Sequence, residues 1–423
     1  MTCNMYTWIF LSAFAIHQVL ETTLAILQLK HLKTRGKKVP KHLRGKVSLE
    51  TIQQAVAYNT EKMRFGLLMR FVDMVPLWVF ILFGFEWLDS LVQSWFQGEL
   101  WRGLAFISIV SGAGALLGLP SSLYFTFVIE QKHGFNKQTI RGFFADKLKE
   151  SFISLILGGG LLALVLWIMS ATTYWWFIAY GVILVFQLLM MWIYPLVIMP
   201  LFNKFVPVSE ELSDAVSGLA QNLGFPLKGV VAMDGSRRSA HSNAFIIGFK
   251  SARRIVLYDT LIEKLSIPSL VAVLAHELGH FKLGHIKKRL ATMAVLGLGV
   301  FGALYWMSQQ PAMYHGLGFS TPSAYAALIV FGLLFGEVSF PFGFISRLFS
   351  RRDEYAADRF AVDAVKNSHD LKDALITLTK QNLSSPGSHR WYRGYYNSHP
   401  SLRERLKAVD THAETKNYPT EKG

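Results

Sequence analysis

The segment His276-Glu277-Leu278-Gly279-His280 sets two imidazoles four residues apart with a carboxylate between them. On a helix, residues i and i+4 stand one above the other, so both rings can reach a single Zn²⁺ while Glu277 sits beside the metal-bound water. This is the apparatus of a zinc hydrolase: the metal polarises a scissile carbonyl and lowers the pKa of its water to about 7, and the carboxylate takes the proton. The bare pattern recurs by chance, and its competitor is a structural helix that happens to carry two histidines. Ser269-Leu270-Val271-Ala272-Val273-Leu274-Ala275 leads into it without a breaker, with Pro268 suited to a first turn and Ser266 to a cap. A carboxylate on so apolar a helix is costly to desolvate without a cation, and zinc supplies one.

A catalytic zinc needs a third protein ligand and an open fourth position. His285 lies about 180° from His276 around a continuous helix and reads as a structural or surface residue. Glu354 is the better candidate. In Ser350-Arg351-Arg352-Asp353-Glu354-Tyr355-Ala356-Ala357-Asp358, Glu354 and Asp358 are i and i+4. One carboxylate can bind metal while the other holds the far nitrogen of a ligating imidazole. A solvated helix with ordinary i,i+4 charges is the competing reading, and it suits Arg352 and Asp353.

These residues need elements to carry them. The chain of 423 residues is 52% hydrophobic and only 17% charged, against about 25% charged in a typical soluble domain, which points to a membrane. Stretches of about 20 apolar residues, enough to cross a bilayer, occur at 6–28, 67–88, 101–129, 152–171, 173–199, 291–309 and 322–346. The first has neither a basic n-region nor a small-residue cleavage site and is expected to stay in the protein. Cys3, the one cysteine, excludes an internal disulfide framework and a cysteine zinc site.

The net charge of +15 is unevenly placed. Lys30, Lys33, Arg35, Lys37, Lys38, Lys41, Arg44 and Lys46 follow the first span, whereas Glu86, Asp89 and Glu99 against Arg102 follow the second. The positive-inside rule puts the N-terminus outside and the first loop in the cytoplasm. Alternation then puts 200–289 and the segment after 350 on the cytoplasmic side, with Glu354 on the same face as His276 and His280. Basic residues so placed orient spans and meet anionic lipid, which sets aside a nucleic-acid partner.

The expected fold is mostly α and integral to the membrane, with seven transmembrane helices and a small α+β zinc domain. Residues 1–200 hold five spans, 201–289 the zinc segment, 290–349 two spans, and 350–423 a helical segment completing the site. Within 203–289 a helix is expected at 209–223, strands at 228–233, 244–249 and 254–258, and turns at Asp234-Gly235 and Gly248-Phe249-Lys250. Helices are expected at 353–366, 369–382 and 401–410, followed by a mobile polar tail. Glu21, Asp73 and Glu337 fall inside apolar spans, where charge faces protein or water. Arg70 stands three residues before Asp73, spaced to pair with it.

Taken in order, these segments resemble the type I CAAX prenyl protease family, the Ste24 group of integral-membrane zinc metalloproteases, over about 50–410. The matching segments are Glu130-Gln131-Lys132-His133-Gly134-Phe135-Asn136, Tyr194-Pro195 through Pro200-Leu201-Phe202-Asn203-Lys204-Phe205, Ser239-Ala240-His241-Ser242-Asn243-Ala244, the zinc helix, the Glu354/Asp358 helix and Asn397-Ser398-His399-Pro400. The resemblance implies a gluzincin-like zinc domain, one Zn²⁺ per chain, and long helices enclosing a water-filled chamber that the zinc site faces. It implies cleavage just after a C-terminal prenylated cysteine, releasing three residues. Carried over by motif, His276, His280 and Glu354 hold zinc with Asp358 behind them, and Glu277 is the general base. Asn243 with Ala244 holds substrate backbone in an extended pose, and His399 and Arg405 face the reacting carbonyl. The chemistry of each side chain suits that role: Asn both donates and accepts to a peptide backbone, and His or Arg stabilises a developing oxyanion.

Two departures from the eukaryotic pattern stand out, a short connection between the last two spans and an end, Thr420-Glu421-Lys422-Gly423, without a dilysine. They favour a prokaryotic cytoplasmic membrane over the endoplasmic reticulum and open the substrate to question. The expected partners are the lipid bilayer and a peptide or prenylated-protein substrate; the sequence assigns no oligomeric state. The rival enzyme is a quality-control protease of the heat-shock membrane group, which has fewer helices. A transporter with structural zinc is the rival of another class, disfavoured by the open coordination position.

Overall fold

The computed structural model describes residues 3–248 and 253–420. It contains 7 helices long and apolar enough to cross a bilayer: Met5–Arg35, Leu49–Trp95, Glu99–Glu130, Ile140–Ala171, Trp175–Phe202, His285–Ser308 and Ala324–Val365. Each coincides with one of the expected stretches to within two residues or overruns it. The overrun of the last span matters for the site: residues 353–366 are not a separate helix but the end of that span, a single helix of 42 residues. Polarity changes near Ser346, yet Phe344 to Asp358 contains neither Pro nor Gly, so nothing stops the helix. Prolines inside other spans are absorbed locally. Pro76, Pro120 and Pro195 lie within or just before one-turn π-helical segments at Phe80–Gly84, Phe125–Glu130 and Tyr194–Ile198, where the ladder widens around the missing N–H.

The spans converge at their ends and not along their length. In their most apolar windows only 6 to 17% of residues are buried. At the outer end Phe10, Phe85, Phe106, Tyr314, Phe319 and Tyr325 interlock in one cluster. At the cytoplasmic end the zinc-motif helix and the end of the last span share another. Between them the helices wall an open interior, and polar groups at that depth pair with one another as membrane-buried charge requires. Glu337 accepts from His17 Nδ1 at 2.5 Å, Glu21 accepts from Tyr396 Oη at 2.6 Å, and Arg70 pairs with Glu21. Arg70 therefore reaches across to the first span instead of along its own helix to Asp73, which is exposed.

On the cytoplasmic side a four-stranded sheet has the order β1-β2-β4-β3. The strands are β1 (Phe205–Pro207), β2 (Gly229–Met233), β3 (Ala244–Ile247) and β4 (Arg254–Tyr258). The β2–β4 pair is parallel and the other two are antiparallel. β1 escaped the sequence reading because three residues ending in Pro carry no alternation. The turn expected at 248–250 and the end of the expected strand 244–249 run outside the described residues. The loop before β3 is tied to the membrane helices by the Glu130–Asn136 segment. His241 stacks on Phe135 at 4.0 Å, Ala240 N–H donates to Phe135 O at 3.0 Å, and Arg238 forks onto Asp146 at 2.7 and 3.0 Å.

The C-terminal helices are His369–Gln381, Arg390–Tyr396 and Leu402–Thr415. The tail is docked as far as Pro419, contrary to expectation: Ser368 N–H donates to Pro419 O at 3.2 Å, and Tyr418 packs on the cytoplasmic core.

Candidate metal centre

The motif helix, Ile267–Lys282, starts at Ser266, whose side chain accepts from Ser269 N–H, and carries Pro at its first turn. Its buried face, Leu270, Ala272, Leu274, Ala275 and Leu278, sits in the cytoplasmic core. The opposite edge lies along the last span so that His276, His280 and Glu354 converge, with ligand atoms within 4.8 Å of one another. The two Nε2 atoms are 3.2 Å apart. Glu354 Oε2 is 3.5 Å from His276 Nε2 and Oε1 is 3.5 Å from His280 Nε2. A tetrahedral ion with bonds of about 2.0–2.1 Å has ligands roughly 3.3 Å apart, close to the spacing between the two nitrogens and from each nitrogen to one of the Glu354 oxygens. Glu354 Oε2 is moreover buried without a hydrogen-bond partner. A carboxylate that sets an orphaned oxygen beside His276 and its other oxygen beside His280 fits a cation.

Each ring is held from behind. His276 Nδ1 meets Asp358 Oδ1 at 2.9 Å, and Asp358 in turn accepts Arg405 Nε at 2.8 Å and Nη2 at 2.5 Å. His280 Nδ1 meets His285 Nδ1 at 3.0 Å, and His285 Nε2 lies 3.5 Å from Asp353 Oδ1. With Nε2 turned to a metal, His280 must donate from Nδ1, which leaves His285 protonated on Nε2 toward Asp353. His285 is buried, which removes the surface alternative, and it lies outside the cluster of three possible ligands. What sequence spacing could not show is its contact with His280. The motif helix ends at Lys282, and Gly284 takes a left-handed φ of 69°, so the angular count for a continuous helix does not apply.

Electrostatics follow the geometry. Burial opposes charge on His276, but hydrogen bonds with Asp358 and Glu354 outweigh it and raise its pKa to about 9. Burial, together with neighbouring His276, lowers His280 to about 4. A proton on His276 stands where a metal cation would satisfy the same carboxylates. Glu277 is half-buried and forms no hydrogen bond to the described residues; burial first, and then Glu354, push its pKa up, toward the range a general base needs.

Of the remaining expected residues, His399 reaches the centre, with Nε2 3.3 Å from Glu354 Oε1 and a side chain 60% exposed. Asn243 is exposed immediately before edge strand β3, with Ala244 buried as the strand's first residue. Arg405 departs from expectation. Its fork is engaged by Asp358, and Nη1 stands 3.9 Å from Glu354 Oε2, so its donors are committed to carboxylates before any oxyanion.

Gly279, unassigned from sequence, allows the two helices to meet. A Cβ there would stand 3.0 Å from Phe360 Cδ1 and 3.3 Å from Ala357 Cα. Gly279→Ala gains about 1 kcal/mol in helix propensity but overpacks the contact at a cost of about 1–3 kcal/mol. We expect lower thermal stability and weaker metal binding, read by calorimetric titration with Zn²⁺; unchanged affinity would mean that the helices separate without moving the ligands.

A family model described as the CAAX prenyl protease N-terminal domain with five membrane helices matches residues 28–204, and the model of peptidase family M48 matches 208–413. The CAAX prenyl protease 1 homolog of Arabidopsis thaliana is 36% identical, over 93% of this chain and 94% of its own. The chain belongs to peptidase family M48. It is an integral-membrane metalloendopeptidase. CAAX prenyl protease 1 of Saccharomyces cerevisiae is 32% identical over 96% of both chains. The crystal structure of Ste24p from S. mikatae superposes with a TM-score of 0.90 at 30% identity, covering 97% of this chain and 100% of that one. The M48 match starts at 208, so the last two spans lie in the peptidase portion along with the ligand cluster.

Proposed function

We propose that this M48 peptidase cleaves just after a prenylated cysteine near the end of a protein chain and releases the three residues that follow it. The observation that carries the reading is the combination of a His276–His280–Glu354 cluster at the cytoplasmic end of an open intramembrane interior with relatives named CAAX prenyl proteases along nearly the whole chain. The metal is assigned as zinc, one per chain, from a donor set of two imidazoles and a carboxylate at tetrahedral spacing. When bound, it supplies Lewis-acid polarisation of the carbonyl and an acidified water.

The residues divide the remaining work. Glu277, with no hydrogen bond to give up, takes the proton of the attacking water and returns it to the leaving amine. Asn243, Ala244 and the free edge of β3 hold substrate backbone extended. His399 sits where negative charge develops on the carbonyl oxygen. Asp358 and His285 fix the tautomer and tilt of His276 and His280, and Arg405 holds Asp358 and adds positive charge beside the site. The apolar walls of the interior receive the prenyl chain, each buried CH₂ adding about 0.8 kcal/mol.

We place the zinc domain on the cytoplasmic face, by the basic first loop. For the membrane itself, the short connection between the last two spans argues for a prokaryotic cytoplasmic membrane. The relatives quoted are all eukaryotic and give that choice no support, which keeps the endoplasmic reticulum as the alternative.

The test is cleavage of a farnesylated peptide and its unmodified counterpart by purified, zinc-loaded protein. We expect the lipid to raise kcat/KM and Asn243→Ala to slow both peptides. Equal turnover would retain the peptidase and discard prenyl specificity, leaving membrane-protein quality control as the better reading.

A further inference from the structure

The first cytoplasmic loop does not simply face the membrane surface. It folds against the C-terminal segment to close a cavity of about 1410 Å³. Arg35, Lys38, Lys41 and Arg44 line one side and Arg403 and Lys407 the other. Its one carboxylate, Glu404, is taken by Arg393 at 2.7 Å and by the Ser401 cap. Among the described residues no carboxylate pairs with those six cations. Orienting a span requires only that basic residues lie on the correct side. Gathering them from chain ends more than 300 residues apart into one concavity concentrates like charge, a cost that an anion removes. The field is felt by His42 in the cavity wall, lowered first by burial and then by Arg403 and Arg35.

Position identifies the anion. His399 and Arg405 also stand in the cavity wall, and they approach Glu354 to 3.3 and 3.9 Å, so the cavity begins at the edge of the metal centre. A leaving segment of three residues spans about 10 Å when extended, and its last atoms are a carboxylate. We propose that this cavity binds the free α-carboxylate of the substrate's leaving segment, recognising that the cleaved bond lies near a chain end. The proposal rests on the prenyl-protease reading above.

The experiment compares two farnesylated peptides that differ only in ending as an acid or as an amide, in neutral detergent. Wild type should cleave the acid with a kcat/KM about 10-fold above the amide, the scale of one charge-assisted hydrogen bond, expressed mainly in KM. Lys41→Ala/Arg44→Ala and Arg403→Ala/Lys407→Ala should each bring the acid-to-amide ratio toward 1. Removing a cation from among like charges breaks no ion pair, and metal content and thermal midpoint verify folding in each variant. An equal rate on both peptides in wild type overturns the proposal, as does a ratio that survives in both double variants. A parallel arm in vesicles with and without anionic phospholipid separates the other source of negative charge. If the variants change only the response to anionic lipid, the cavity serves headgroups and the proposal fails. Cleavage of both peptides alike sinks this inference alone, whereas cleavage of neither sinks the prenyl-protease reading with it.

Discussion

Glu277→Gln yields a folded protein that keeps its metal and cleaves peptide at least about 10²-fold more slowly. Gln has nearly the volume and shape of Glu, and Glu277 makes no hydrogen bond to the described residues, so the substitution removes a base and nothing else. Charge compensation at the centre is carried by Glu354 and Asp358, which are untouched. The measurement pairs metal content with single-turnover rate on saturating peptide, since the lost interaction exists only in the transition state and should appear in kcat and not in KM. Loss of metal from the Gln variant would make Glu277 a ligand and leave the site without its base.

The motif and the carboxylate that meets it from the last span were legible because helical spacing is local. His276 and His280 needed only i,i+4 geometry, and Glu354 with Asp358 the same. The spans were legible from composition, and their ends were not. Hydropathy marks where a helix leaves the hydrocarbon and is silent on where the helix stops, so the joining of the last span to the Glu354 segment appears only in three dimensions. What depends on long-range packing was hidden altogether. Arg70 has an acidic neighbour in sequence and a different partner in space. Arg405 carries the charge that suits an oxyanion, yet its fork matches the geometry of Asp358. Gly279 was given no role from sequence, although a side chain there would crowd Phe360 and Ala357 of the last span. The basic first loop was read as an orientation signal, and only the fold sets it opposite Arg403 and Lys407.

Glu354→Ala removes the metal, whereas His285→Ala and Asp358→Asn weaken it. The ranking follows from what each residue touches. Glu354 spans both Nε2 atoms with its two oxygens at 3.5 Å, and without it two imidazoles remain, which no longer make a catalytic zinc site. His285 and Asp358 touch the far nitrogens at 3.0 and 2.9 Å, and an outer partner of this kind is worth about 10–100-fold in affinity. Asn is the proper replacement for Asp358, because Ala would leave the Arg405 guanidinium buried and unpaired, at about 3–5 kcal/mol in stability. Competitive titration with a zinc chelator on purified protein gives the three affinities, and circular dichroism shows whether the helices persist. Stoichiometric zinc in Glu354→Ala together with its loss from His285→Ala would transfer the third ligand to His285 and reduce the end of the last span to a structural role.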